Sequence, residues 1–302
     1  MSVDAVLIAG PTASGKSAAA TALAARLNGV VIDADSMQIY REPRILTARP
    51  SGEDMARVPH VLYGHVGVHD AYSVGRYSSD AAAALADTRG KGMLPIFTGG
   101  TGLYFSALTE GLADIPPIPA SIRDAVRRHS EAIGAEAFHA ELMARDPGAR
   151  LRASDTQRTL RAYEVIEATG KPLAHWQRDK GKPVLEGLRL ARVVVAPPRP
   201  ELHARIDARF DRMLAAGALE EAAALADIDS ALPAAKILGR RELLAARAGE
   251  LSLPDAAARA KAATRQYAKR QLTWFRHRMA DWVWLEPSEP GNFLTEWIAS
   301  VT

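Results

Sequence analysis

The chain has 302 residues, 48% of them hydrophobic and 24% charged, which excludes a mainly disordered protein and leads us to expect two domains. Lys and Arg total 38 against 35 Asp and Glu, and a net charge of +3 indicates no partner by itself. The absence of cysteine excludes disulfides, thiolate metal sites and cysteine nucleophiles, so a hard ion such as Mg²⁺ is the metal that fits best.

The chain shows no sign of a membrane partner. No apolar run reaches the ~20 residues needed to span a bilayer. A strand-like segment stands at the start in place of a secretion signal. We therefore expect a cytoplasmic protein.

The first third alternates between strand and helix patterns. Short apolar runs bounded by glycine or proline predict buried parallel strands, and alanine-rich runs without a breaker predict helices. The predicted strands are residues 5–9, 30–33 and 94–97, and the predicted helices are residues 18–27 and 79–89. This alternation indicates an α/β fold with a parallel sheet flanked by helices.

A proline-rich stretch then interrupts the pattern. Residues 111–119 contain three prolines, and the sequence up to about residue 178 reads as helices without a strand. Residues 188–196 predict a strand that rejoins the sheet, and we expect the remainder to be helical. The predicted organisation is a discontinuous core domain of residues 1–115 and 185–302, with an inserted all-helical domain of residues 116–184.

A phosphate-binding loop lies between the first strand and the first helix, as the GxxxxGK[ST] motif requires. Its backbone amides and Lys16 suit a diphosphate, a triphosphate or a nucleotide, and the Ser17 hydroxyl suits Mg²⁺. The loop indicates a P-loop NTPase-like core, although a chance glycine turn would show a similar pattern. The residues of the loop are Gly10, Pro11, Thr12, Ala13, Ser14, Gly15, Lys16 and Ser17.

Polar residues follow the second and third predicted strands, where the ligand crevice of such a sheet forms. Asp33 belongs to the strand, and Asp35 lies one step into the loop, where it could act as a base or cap the turn with Ser36. Thr101 follows the turn formed by residues 99–100 and could serve the site or cap a helix.

The segment of residues 259–278 has no acidic residue and seven basic ones: Arg259, Lys261, Arg265, Lys269, Arg270, Arg276 and Arg278. It is a candidate polyanion-binding surface, with Trp274 and Phe275 suited to stacking on bases. A solvated charged helix face would look the same.

Six further motifs follow the phosphate-binding loop. They are DSMQIYR at 35–41, TARP at 47–50, GGTGLY at 99–104, DTQRTLRAYEV at 155–165, RIDARFDRML at 205–214 and TRQYAKRQLTWFR at 264–276. In this order they resemble the bacterial tRNA dimethylallyltransferases of the tRNA isopentenyltransferase family. The match extends along almost the full chain and is far more specific than a phosphate-binding loop alone.

The resemblance implies a prenyltransferase that modifies tRNA. A dimethylallyl group would pass from dimethylallyl diphosphate to N6 of the adenosine just 3′ of the anticodon, in tRNAs that read codons beginning with U, and pyrophosphate would leave. Asp35 would be the general base, Thr101 would hold the reacting groups in line, and Lys16 with Mg²⁺ would neutralise the leaving group. A monomer suits an enzyme that grips a large RNA.

The resemblance also implies binding residues. Arg205 and Arg209, four apart on one helix face, are candidates to reach the diphosphate, although a solvated surface pair is the alternative. The residues implied to contact tRNA are Asp35, Ser36, Met37, Gln38, Thr101, Arg123, Gln157, Arg158, Thr159, Leu160 and Arg161, with Arg265, Lys269 and Arg270 on the basic segment.

Two other functions share some of these features. A small-molecule or nucleotide kinase would explain the phosphate-binding loop and Asp35, but not the acid-free basic segment. A non-catalytic RNA-binding ATPase would explain both, and it would leave the RNA chemically unchanged. Neither accounts for the ordered set of motifs.

Overall fold

A six-stranded sheet with every neighbouring pair parallel is central to the computed structural model, which describes residues 3–286. The strands are β1 (Ala5–Ala9), β2 (Gly29–Asp33), β3 (His60–Val61), β4 (Leu94–Gly99), β5 (Leu190–Val195) and β6 (Val283–Leu285). Their order across the sheet is β3-β2-β4-β1-β5-β6, so β1 is bordered by β4 and β5. The carboxyl ends of β1, β2 and β4 therefore share one edge.

Helices account for most of the remaining described residues. In the first part of the chain they are α1 (Lys16–Arg26), α2 (Gly52–Arg57), α3 (Val74–Gly90) and α4 (Gly102–Thr109). The middle contains α5 (Ala120–Ile133), α6 (Ala135–Arg145), α7 (Thr156–Thr169) and α8 (Leu173–Trp176). After β5 come α9 (Arg199–Ala215), α10 (Ala218–Ala224), α11 (Arg240–Arg247) and α12 (Leu253–Arg278), with a short 3-10 helix at Pro233–Lys236.

The sheet is buried on both faces because its strands are apolar throughout. Successive side chains of a strand point to opposite faces, so Val6 and Ile8 of β1 join one hydrophobic cluster while Leu7 and Ala9 join the other. All four side chains are fully buried. This packing fixes the carboxyl end of β1, from which the phosphate-binding loop departs.

Two long helices begin at serine caps that the sequence supplies. Ser73 accepts a hydrogen bond from the backbone N–H of Arg76 at the start of α3. Ser252 accepts one from the N–H of Asp255 at the start of α12. Each cap satisfies an amide that has no partner within its helix, and Asp255 also places negative charge at the positive end of α12.

The described chain divides into two compact units, residues 3–109 with 184–286 and residues 110–183. Both divisions fall slightly earlier than the boundaries predicted from the sequence, and residues 287–302 of the predicted core domain lie outside the described residues. The second unit is helical and has its own core, which includes Val126, Phe138 and Leu142. That these units are functional domains stays a prediction.

The α/β, P-loop NTPase-like fold class is confirmed by the parallel sheet and its flanking helices. The expectation that everything after residue 196 is helical was wrong, because β6 adds a strand beside β5. Three residues are too few for an alternation pattern to reveal it. In residues 3–286, no helix combines the length and apolar character needed to cross a membrane.

Candidate active site

The phosphate-binding loop leaves β1 and enters α1 in a conformation that its small residues permit. Ala13 and Gly15 have φ of 64° and 93°, in the left-handed region. A side chain at Gly10 would place its Cβ 2.7 Å from the carbonyl oxygen of Val195 on β5, so only glycine fits there. The turn brings the first amides of α1 to the edge of the sheet, where they can face an anion.

A cavity of about 650 Å³ opens above this loop. Three walls enclose it: the loop with the start of α1, the segment of residues 44–51, and one face of α9. None of the described residues that line it is acidic, and it is lined by six cationic side chains, those of Lys16, Arg44, Arg49, Arg205, Arg209 and Arg212. We call it the cationic cavity; its charge suits a polyanion such as a diphosphate.

Arg205 and Arg209 both line the cationic cavity. Arg205 donates from Nη1 to the carbonyl oxygen of Ser14 at 3.3 Å and also pairs with Glu201. Arg209 donates from Nη2 to the carbonyl oxygen of Thr47 at 3.4 Å. Burial lowers the pKa of Arg209, although the charge of Asp35 opposes that effect. The two arginines are therefore not a solvated surface pair, while their binding to a diphosphate stays a prediction.

Lys16 is the most enclosed of these cations, with 8% of its surface exposed. Its Nζ donates to the carbonyl oxygen of Pro11 at 3.2 Å. Burial lowers the pKa of Lys16 to about 8, against the opposing charge of Asp35. Its charge is therefore weakly compensated, which favours an anionic ligand.

Asp33 and Asp35 differ sharply in environment. Asp33 is fully buried at the end of β2, and burial together with the charge of Asp35 raises its pKa well above the usual value. One of its oxygens accepts the N–H of Asp35 at 2.9 Å, and the other, Oδ2, has no hydrogen-bond partner among the described residues. Asp33 thus fixes the backbone from which Asp35 projects.

Asp35 is half-buried and has one oxygen committed. Its Oδ1 accepts the N–H of Met37 at 3.0 Å, so it caps the turn through Met37 and not through Ser36. No described residue forms a hydrogen bond with Oδ2. This oxygen lies close to Gly100, where an added Cβ would be 3.1 Å from it. Capping and acting as a base are therefore compatible, because each role uses a different oxygen.

Thr101 ties the loop after β4 to the turn that contains Asp35. Its Oγ1 accepts the N–H of Ser36 at 2.8 Å and donates to the Ser36 hydroxyl at 3.1 Å. These bonds span two strand ends, which local helix capping would not do. The structure therefore brings Thr101, Ser36 and Asp35 together.

Gln271 of α12 joins the same region, although sequence reasoning did not single it out. Its Oε1 accepts the N–H of Thr12 at 2.9 Å, and its Nε2 donates to the carbonyl oxygen of Gly100 at 2.8 Å. The side chain is 6% exposed. A signal existed in the helical spacing, since Gln271 lies between the buried residues Ala268 and Phe275, and a buried glutamine requires polar partners.

Among the residues implied to contact tRNA, two are less accessible than expected. Gln38 is buried, and its amide donates to the carbonyl oxygens of Thr47 and Ala48, both at 2.9 Å. In the second unit, Arg123 on α5 and Gln157, Arg158 and Arg161 on α7 are exposed, and Leu160 is half-buried. Thr159 is 1% exposed, so its side chain is enclosed within the unit, and its contact with tRNA stays a prediction.

The basic segment lies within α12 and is only partly free. Arg265 pairs with Asp207 at 2.5 Å and Lys261 pairs with Asp211 at 2.6 Å, both acids belonging to α9. Lys269 and Arg270 are exposed. The suggestion that Phe275 stacks on a base was wrong, because it is fully buried in the core.

Trp274 of the same helix is half-buried and packs against Gly102, where a Cβ would lie 2.3 Å from its Cε3. Its ring also meets that of Phe275 edge-on. Trp274 therefore packs α12 against the start of α4, and the candidate polyanion surface of this helix is reduced to its exposed cations.

The oxygen ligands that Mg²⁺ prefers are present beside the loop. The Ser17 hydroxyl lines the cationic cavity, and Asp33 Oδ2 is a buried oxygen without a described partner. No cluster of three or more His, Asp or Glu side chains capable of holding a metal occurs among residues 3–286. The residues therefore fit an ion that is completed by phosphate oxygens and water, not one enclosed by protein.

Sequence comparison identifies close relatives of this chain. The model of the IPP transferase family matches residues 38–278, and that of the isopentenyl transferase family matches residues 3–70. A tRNA dimethylallyltransferase of Nitrobacter hamburgensis is 54% identical over 290 residues, which cover 95% of this chain and 92% of the relative. One from Azorhizobium caulinodans is 54% identical over 297 residues, with 96% and 95% covered.

Solved structures show the same fold. The full-length tRNA isopentenylpyrophosphate transferase of Bacillus halodurans is similar with a TM-score of 0.69 at 31% identity, covering 99% of this chain and 96% of that one. A eukaryotic dimethylallyltransferase acting on tRNA gives a TM-score of 0.79 at 26% identity, and the match covers 98% of this chain and 76% of the eukaryotic chain. The similarity thus includes the sheet and the helical unit.

Proposed function

The chain belongs to the IPP transferase family, and on that basis we propose that it transfers a dimethylallyl group to tRNA. It is a prenyltransferase, and the kinase alternative is not favoured. The observation that carries the proposal is the cationic cavity, a site for a diphosphate leaving group, at the sheet edge where Asp35 keeps one carboxylate oxygen without a hydrogen bond among the described residues. The donor is dimethylallyl diphosphate, and the acceptor is N6 of the adenosine 3′ to the anticodon in tRNAs reading U-initial codons.

The reaction forms one bond and breaks another. The adenine N6 attacks the allylic carbon, the bond from that carbon to the diphosphate oxygen breaks, and pyrophosphate leaves. Lys16, Arg205 and Arg209 line the cavity that receives this charge, and their fixed positions lower the energy of a departing anion. When bound, Mg²⁺ would supply further charge neutralisation at the leaving group, and the Ser17 hydroxyl is the protein group that would hold it.

The proton released from N6 passes to Asp35. Its Oδ2 is the oxygen free to accept, since Oδ1 is held by the N–H of Met37. The hydroxyl of Thr101 and the N–H of Ser36 keep this turn in register with the end of β4. A carboxylate fixed in this way contributes about 10²–10⁴-fold as a general base.

The RNA is gripped by exposed cations. Lys269 and Arg270 on α12 meet phosphates, while Arg123, Arg158 and Arg161 contact the anticodon stem-loop from the second unit. The target adenosine leaves the stack of a single-stranded loop at modest cost before it reacts. The enzyme works as a monomer in the cytoplasm.

Mass spectrometry of digested tRNA tests this function. The purified protein is incubated with Mg²⁺, dimethylallyl diphosphate and an unmodified tRNA that reads U-initial codons, and a mass gain of one dimethylallyl group on adenosine is expected. A tRNA with guanosine at the same position serves as the control substrate. If the protein consumes ATP and leaves the adenosine unmodified, the proposal is wrong.

The isosteric variant Asp35→Asn tests the base. The amide oxygen can still accept the N–H of Met37, so the turn is kept and only the proton acceptor is removed. The transfer rate should fall about 10²–10⁴-fold while the dissociation constant for tRNA stays within about threefold. A variant that retains the wild-type rate would exclude Asp35 as the base.

A further inference from the structure

One wall of the cationic cavity has no regular secondary structure. Residues 44–49 form turns between β2 and α2, and Arg44, Ile45, Ala48 and Arg49 of this segment line the cavity. The other two walls are built on α1 and α9, whose backbones are fixed by helical hydrogen bonds. Within the segment, the N–H of Ala48 donates to the carbonyl oxygen of Ile45 and that of Arg49 to the carbonyl oxygen of Arg44, while contacts from other elements hold the segment against the cavity.

Glu221 of α10 supplies the most concentrated of these contacts. Its Oε1 accepts the N–H of Arg44 at 2.7 Å and that of Ile45 at 2.8 Å, and its Oε2 accepts the N–H of Leu46 at 2.7 Å. Three successive backbone amides thus converge on one carboxylate. Hydrogen bonds to an ionised acceptor are roughly twice as strong as neutral ones, so Glu221 holds this backbone more firmly than a neutral side chain with the same three bonds would.

The position of Glu221 suits it to a cation-rich wall. It is not among the residues that line the cavity, so it holds the loop amides without taking the place of an anion there. Burial and the neighbouring Arg44 lower the pKa of Arg49, and the charge of Glu221 partly opposes that effect. Arg49 is also fixed through Nη1, which donates to the carbonyl oxygens of Tyr40 and Arg41 at 3.0 and 3.1 Å.

We propose that Glu221 is a positioning residue that shapes the donor site by fixing residues 44–46, so that Arg44 and Arg49 face the diphosphate. This inference rests on the proposed function, since it takes the cationic cavity as the site of the prenyl diphosphate. Glu221 touches neither substrate, and its effect passes entirely through the backbone of the loop wall.

The chain offers a matched control one residue away. Glu220 has the same side chain on the same helix, is exposed, and has no hydrogen bond to residues 44–46 among the described residues. Glu221→Gln keeps one acceptor oxygen and nearly the same shape, but it presents an amide group to at least one of the three N–H groups. Glu221→Ala removes all three acceptors.

The test measures donor and tRNA parameters separately in the full-length protein. For Glu221→Gln, we expect the KM for dimethylallyl diphosphate to rise about tenfold or more, and the Kd for inorganic pyrophosphate, measured by calorimetry, to rise by a similar factor. The KM for tRNA should stay within about threefold. Glu220→Gln should match the wild-type protein in all of these values.

The outcomes separate this proposal from its premise. The positioning role is overturned if the wild-type enzyme is active and Glu221→Gln leaves both the KM for the donor and the affinity for pyrophosphate unchanged. A lower melting temperature with unchanged affinity well below that temperature would also overturn it, since it would show a role in folding only. If the wild-type protein itself fails to modify tRNA, the proposed function fails and the inference fails with it. Should Glu221→Ala not fold, the glutamine variant still decides.

Discussion

Replacing Gln271 with leucine should weaken folding and catalysis together, because this side chain joins two backbone groups of the active site. Leucine has a similar volume but can neither accept the N–H of Thr12 nor donate to the carbonyl oxygen of Gly100. Each polar group left unsatisfied in a buried place costs ~1–3 kcal/mol. The free energy of unfolding of the sheet-containing unit should therefore fall by about 2–6 kcal/mol.

For a unit of this size, a loss of 1 kcal/mol lowers the melting temperature by about 2–4 °C, so Gln271→Leu should melt about 4–24 °C below the wild-type protein. Differential scanning calorimetry measures this shift, and kcat is then measured at a temperature where the variant stays folded. Since Thr12 lies in the phosphate-binding loop and Gly100 directly precedes Thr101, kcat should also fall. Gln266→Leu, on the exposed side of the same helix, controls for the effect of leucine on α12 and should leave the melting temperature unchanged.

Gln271→Glu refines this prediction through pH. Glutamate keeps an acceptor for the Thr12 N–H, but at neutral pH it sets a charged oxygen against the carbonyl oxygen of Gly100. The folded state then favours the protonated acid, so its pKa in the folded protein should rise above the ordinary ~4.3. The native state binds more protons than the unfolded state, so the stability deficit should shrink as pH falls from 8 towards 5. Gln271→Leu should show no such trend.

A Gln271→Leu protein that melted within about 2 °C of the wild-type protein and kept its kcat would show that these two hydrogen bonds stabilise neither the fold nor the site. A melting temperature that falls while kcat holds would confine the role of Gln271 to folding.

Other predictions follow from the same geometry. Because burial lowers the pKa of Lys16 to about 8, the affinity of the metal-free protein for pyrophosphate should weaken as pH rises through about 8, and Lys16→Met should lose this dependence in calorimetric titrations. In the unfolded chain Lys16 keeps its proton up to about pH 10.5, whereas in the folded protein it loses the proton near pH 8. Between these pH values the Lys16 contribution to the free energy of unfolding should therefore increase with pH, and thermal melts of Lys16→Met should lack this increase. Thr101→Val loses both bonds to Ser36 and should lower kcat about tenfold, with substantial recovery in Thr101→Ser; equal rates in the two variants would contradict this role. In filter-binding titrations, Lys269→Ala should reduce the slope of log affinity for tRNA against log salt concentration by the equivalent of about one phosphate contact. A slope equal to that of the wild-type protein would show that Lys269 does not contact the RNA.

Local patterns were enough to predict which residues meet at one edge of the sheet. The phosphate-binding loop, Asp35 and Thr101 each follow a strand closely, so strand ends that share an edge also bring these residues together. Gln271 differs, because its partners Thr12 and Gly100 lie 259 and 171 positions away in the chain. No spacing rule reports a contact of that range.

For the basic segment, composition predicted too much. It suggested that all of the cations and aromatic side chains of this segment were available to bind RNA. Helical periodicity places Phe275 on the same face as Ala268, which the fold buries, whereas the pairing of Arg265 with Asp207 depends on where α9 packs. The burial of Phe275 could therefore be predicted from the sequence, whereas the pairing of Arg265 with Asp207 required the tertiary structure.

In each of the two units, a backbone hydrogen bond joins the chain segment next to one unit boundary to the segment next to the other boundary. The N–H of Gly181 donates to the carbonyl oxygen of Leu112 at 2.7 Å, while that of Leu185 donates to the carbonyl oxygen of Leu108 at 2.9 Å. Entry and exit are therefore neighbours on either side of the junction. Because the two ends of the helical unit meet in this way, its internal length can change without altering the register of any strand, and the sheet edge and the helices proposed to contact RNA can be adjusted separately.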